Sequence, residues 1–299
     1  MTDTYHPVIS FYKIFKYAAL SVFVLVFIKY FIYDIYVTNK KPSPFRKIAD
    51  ITNNIFEEMN NVELPAVSTI SEHTVKCRVA ANTLERSLTF KSYGNSIATG
   101  LRDIGKEIRE AGILLQKMYS KGSSLQTSFD IEIGAIKQRL NSKSNYMRQD
   151  DASYIKERLD ILVKKIKELR LLVEKGHNHI LDAMKIRSDI NDDIKNGLGA
   201  ADKYSNNTKH SADIVRAKKE LADVDKVLSE SIIIVGHLQR LRDILNDYGN
   251  KLMDVSDELD EMGNEGRRVT KKDLKQLTLA VDHSKAHHHK FNKLAQVPD

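Results

Sequence analysis

Between Ala66 and Val297 the chain contains no proline; its five prolines stand at 7, 42, 44, 65 and 298. Proline interrupts a helix because it lacks the N–H and its ring clashes with the preceding turn, at a cost of about 3 kcal/mol. So long a stretch without one permits helices of unusual length. The palette agrees. Eleven of the 22 Phe and Tyr residues precede residue 37 and there is no Trp, so the rest of the chain must build its core from Leu, Ile, Val, Met and Ala. Those residues suit helix seams better than a sandwich or barrel, which draws on aromatic and β-branched side chains.

Periodicity sharpens this expectation. Val67, Ile70, Thr74, Cys77, Ala81, Leu84 and Leu88 alternate spacings of three and four, and Ile97, Leu101, Ile104, Ile108, Ala111, Leu115 and Met118 resume the pattern. Ile155, Leu159, Leu162, Ile166, Leu169 and Val173 form the clearest stripe, matched later by Leu238, Leu241, Leu245, Tyr248, Leu252 and Val255. This is the heptad signature of packed helices. A helix over 46–63 ends at Pro65, and breaks fall at 92–96, 141–153, 197–208 (GLGAADKYSNNT) and 263–266 (GNEG). Thr69 with Glu72, and Thr270 with Asp273, have the spacing of capping pairs. Short polar breaks between long helices favour antiparallel neighbours. A parallel oligomer of long helices is the competing arrangement, between which heptads alone do not choose.

The amino-terminal segment carries a different signal. YAALSVFVLVFIKYFIY (17–33) has the composition and length of a short membrane span. One lysine, Lys29, does not outweigh its apolar residues on insertion scales. No small-residue cleavage pattern follows it, which favours an uncleaved anchor over a signal peptide. Tyr17, Tyr30 and Tyr33 have the placement of an interfacial belt, and Lys40, Lys41, Arg46 and Lys47 that of a basic flank able to attract anionic lipid. The excess of basic residues after the span places the long carboxy-terminal region in the cytosol. The fold class expected is therefore all-α: one transmembrane helix, then long amphipathic helices forming an elongated antiparallel coiled coil or helical bundle. The divisions are a tail (1–13), a signal-anchor (14–37), a basic stalk (38–45), a long-helix region (46–262) and a basic, His-containing terminus (263–299).

Chemistry-bearing motifs are scarce. A single cysteine, Cys77, leaves no intramolecular disulfide or multi-thiolate metal site. The chain has no phosphate-loop, zinc-protease or nucleophile-elbow pattern. His283 and His287 are four apart on one helical face, but Lys285 and Lys290 beside them oppose a cation, so no metal or other cofactor is expected. An acidic stretch from Asp254 to Glu265 precedes basic residues from Arg267 to Lys275, a pattern of solvated or interacting helix faces. Nucleic acid is disfavoured as a partner because the basic run lacks interleaved aromatics.

These residues point to a non-enzymatic, membrane-anchored coiled-coil protein that tethers, spaces or scaffolds. Its partners would be the bilayer and a second copy or another helical protein, with Leu162, Ile166, Leu169, Leu241, Leu245 and Leu252 carrying the association. The alternative is a membrane-remodelling or pore-forming protein whose first segment inserts conditionally.

Overall fold

The computed structural model describes residues 43–142, 146–203, 208–266 and 268–286. Among them the fold is all-α, with seven helices in the unit that begins at Pro44: α1 (Pro44–Asn60), α2 (Val67–Arg86), α3 (Gly94–Asn141), α4 (Gln149–Asp189), α5 (Asn191–Lys203), α6 (Thr208–Asn264) and α7 (Lys271–Ala286). The only extended pairing among these residues is one antiparallel bridge, Tyr146 with Arg268. At 48 and 57 residues, α3 and α6 run about 70 and 85 Å at 1.5 Å per residue.

Cross-helix contacts fix the directions. Arg139 meets Asp151 at 2.8 Å, Arg158 meets Glu132 at 3.2 Å and Lys121 meets Glu168 at 3.1 Å, so numbers fall along α3 as they rise along α4. Lys156–Asp260 at 2.7 Å, Arg170–Asn246 at 2.6 Å and Arg187–Asp225 at 2.8 Å make α4 and α6 antiparallel too. Along the other side of α6 lie, in descending order, the partners of Lys47 (Glu258), Glu58 (Tyr248), His73 (Glu230) and Ser87 (Asp213). Thus α1 and α2 form successive halves of one leg, antiparallel to both α3 and α6. The result is an up-down-up-down bundle of four legs, α1–α2, α3, α4–α5 and α6, with α7 against α1 and α3. The antiparallel expectation holds within one chain, and the count of legs is set by the turn at Pro65, which divides a leg without reversing it.

Local chemistry explains the joints. Pro44 opens α1, where its missing N–H costs nothing. Pro65 separates α1 from α2, and its carbonyl accepts the hydroxyl of the fully buried Tyr119 at 2.6 Å. Helix α2 starts at Val67 with Ala66 as its uncapped entry; Thr69 and Glu72 do not form the expected pair, and Glu72 instead bridges to Lys76 at 2.8 Å. The Thr270–Asp273 capping box does form. Asp273 N–H donates to Thr270 Oγ1 at 3.2 Å, and Thr270 N–H to Asp273 Oδ2 at 2.9 Å. Gly266 before it has φ 59°, the left-handed turn that ends α6. The break expected over 197–208 is narrower in the fold: α5 ends at Lys203 and α6 begins at Thr208, and the GLGA stretch is not part of it. It lies inside α5, and Gly197 is there for close approach: a Cβ would stand 2.9 Å from Phe90 Cδ1. Helix α4 gives way to α5 earlier, at Ile190.

No described helix is long and apolar enough to cross a membrane. This corrects the placement of the chain as a single-pass integral membrane protein with a cytosolic carboxy-terminal region. The described helices are amphipathic, and their apolar stripes are consumed by neighbouring helices rather than offered to lipid. Residues 14–37, on which that placement rested, lie outside the described residues, as do Tyr17, Tyr30, Tyr33, Lys40 and Lys41.

Candidate functional site

The six seam residues expected to carry association all lie inside this chain's own core. Leu162, Ile166 and Leu169 on α4 and Leu241, Leu245 and Leu252 on α6 are each no more than 2% exposed. Arg46 and Lys47 fall in the first turn of α1. Arg46 lies 3.9 Å from Asp50, and Lys47 pairs with Glu258, so part of the acidic block binds α1. Another part, Asp260, binds Lys156 on α4. The acidic block is thus tied to α1 and α4.

Histidines and the cysteine are occupied structurally. His179 Nδ1 lies 2.6 Å from Glu107, joining α4 to α3. His73, 1% exposed, places Nε2 2.8 Å from Glu230 between α2 and α6, while its buried Nδ1 has no hydrogen-bond partner. Cys77 is fully buried, and burial pushes its thiol up to about 11, away from the thiolate needed for nucleophilic chemistry. The described residues contain no group of three or more His, Cys, Asp or Glu able to hold a metal ion. His287, and the side chain of His283, lie outside them.

What the fold does assemble is a basic groove between α2 and α3. Thr74, Arg78 and Asn82 line one wall; Arg102, Gly105, Lys106 and Arg109 line the other, around about 450 Å³ of space. The helices can run this close because Gly105 and Gly112, one heptad apart, have no side chain at the crossing. A Cβ on Gly105 would stand 3.2 Å from Cys77 Cβ, and one on Gly112 would stand 2.8 Å from Ile70 Cγ2.

Two of the four cations are held. Arg102 donates to both carboxylate oxygens of Glu85, at 3.1 and 2.5 Å, and to Asn82 Oδ1 at 3.2 Å. The Arg102 hydrogen bond holds the Glu85 carboxyl below its ordinary value, and the same bond raises Arg102. Arg109 lies 3.3 Å from its neighbour Glu110. Arg78 and Lys106 make no ion pair among the described residues, and no aromatic side chain lines the groove. Arg78 and Lys106 thus leave positive charge along this groove that the described residues do not neutralise, and such a concentration of one sign attracts anions.

The sequence reading missed this groove. Arg102, Lys106 and Arg109 at i, i+4 and i+7 do mark one basic helix face. Arg78 lies on another helix, and only the antiparallel turn at 87–93 brings it opposite them.

A second depression of about 420 Å³ lies between the α4–α5 leg and α6, where Met184, Leu228 and Ile232 stand among the polar Arg187, Ser188, Asn191, Asp225 and Ser229. Ile232 is 56% exposed, and Leu181, a turn before Met184, is 40% exposed. The Arg187–Asp225 ion pair bridges its walls. Compared with known proteins, the chain matches no family model and no curated relative.

Proposed function

We propose that the protein is a non-enzymatic helical scaffold or spacer that holds other macromolecules through helix–helix contacts. The observation that supports this most is the destination of its seams. Leucine and isoleucine stripes running the length of α4 and α6 are used up inside one chain, bracing the long helices against each other. Each fully buried Leu or Ile contributes about 1.5–3 kcal/mol, so this stripe is a large share of the stability. Partners are then left to the outward faces. The depression between α4 and α6, with Met184, Leu228 and Ile232 along it and the exposed Leu181 one turn before Met184, fits one apolar edge of an amphipathic helix from a partner protein, whose own charges would meet Arg187 and Asp225.

A photo-crosslinking residue placed at Leu181 or Ile232 of the full chain, in its own cells, tests this. The outward positions are expected to give adducts with another polypeptide, mapped to a helical segment, whereas the same residue at Leu169 gives intrachain products only. Monomer-sized products from both outward positions would overturn the reading.

A further inference from the structure

Beyond the scaffold role, and independently of it, we infer that the α2–α3 groove binds a compact polyphosphorylated ligand. Arg102, Lys106 and Arg109 span seven residues of α3, about 10 Å of helix axis at 1.5 Å per residue, with Arg78 opposite them. That is the dimension of a few linked or ring-borne phosphate groups rather than of an extended chain. The space within this open groove, about 450 Å³, falls within the ordinary range of small-ligand sites.

Residue type supports the same class. Three of the four cations are arginines, whose planar fork donates two parallel hydrogen bonds to phosphate or carboxylate oxygens, and lysine adds a point charge. Glu85 and Glu110 engage Arg102 and Arg109, so the uncompensated charge falls on Arg78 and Lys106. Thr74 and Asn82 add polar contacts. An acidic peptide helix fits less well. Such a partner is anchored by apolar side chains entering a pocket, and the lining offers none: its only non-polar members are Gly105 and the stems of the cations. A nucleobase would want an aromatic face to stack on, which the groove also lacks.

Isothermal titration calorimetry of the full chain with tripolyphosphate and with myo-inositol hexakisphosphate tests the site. Arg78→Gln with Lys106→Gln is the informative variant, because neither side chain holds an ion pair in the described fold and the bundle is expected to survive their loss. Lys167→Gln with Lys175→Gln, on exposed positions of α4, removes the same charge elsewhere. Wild type is expected to bind at least one probe, with affinity falling tenfold or more in the groove variant and less than twofold in the α4 variant. Flotation with phosphatidylcholine vesicles, with and without phosphatidylinositol 4,5-bisphosphate, separates a lipid headgroup from a free ligand as the source. Equal weakening in the two variants would show a general charge effect and overturn the proposal. So would an absence of binding to every phosphate probe, or groove-dependent binding of a poly-glutamate peptide in their place. Survival of the photo-crosslinks under any of these outcomes would leave the scaffold reading standing.

Discussion

Cys77 shows how single residues in this bundle trade chemical reactivity for packing. It stands at the α2–α3 crossing against Gly105, with no exposed surface, and its thiol is raised from 9.0 to about 11 by burial. The folded value exceeds the unfolded one, so the proton is held more tightly in the fold. The associated stability is complete below about pH 9 and is lost as pH rises towards 11. Between pH 9 and 11, urea unfolding of the wild-type chain should therefore lose on the order of 2 kcal/mol more than that of Cys77→Ala. Parallel curves for the two would contradict this. Tyr119 is the residue that sequence reading passed over. It directly follows Met118, the last of a stripe of positions spaced three and four, and only the fold reveals that its hydroxyl satisfies the Pro65 carbonyl at the joint between α1 and α2.

At the scale of elements, the long stripes were readable because a period of three and four needs only local information. The expected seam from Ile155 to Val173 is the buried face of α4 without a shift. Glycines were harder. In a sequence, GLGA at 197–200 and Gly112 inside a stripe differ little from a turn signal, since both break propensity. What separates them is the neighbour across the bundle. Gly197 faces Phe90 and Gly112 faces Ile70, whereas Gly236 meets nothing within 4 Å. Gly112→Ala is accordingly expected to destabilise by about 1–3 kcal/mol through overpacking. Gly236→Ala should stabilise by up to about 1 kcal/mol through helix propensity. Thermal or urea unfolding of both variants checks the pair; stabilisation in both would show that the α2–α3 approach is looser than described, and destabilisation in both would contradict the propensity gain at Gly236.

For the whole molecule, the arrangement of legs was not available locally. Pro65 and the break read at 92–96, which the fold places at 87–93, are both helix interruptions, yet the first continues a leg and the second reverses it. The difference lies in the partners each side meets, Glu85 for Arg102 across the reversal and Glu230 for His73 far along the chain, which the helix periodicity does not encode. The basic groove was hidden for the same reason, being half on each side of a reversal. The central claim is that one chain supplies all four legs, antiparallel, and satisfies its own seams. Zero-length carbodiimide crosslinking joins only carboxylates and amines already in contact, so it reports these legs directly. Applied to an equal mixture of isotopically light and heavy full-length chains, it should yield Lys121–Glu168 and Lys156–Asp260 links, each within a single isotope. Mixed-isotope links at these pairs would contradict the account, because the seams would then be shared between chains.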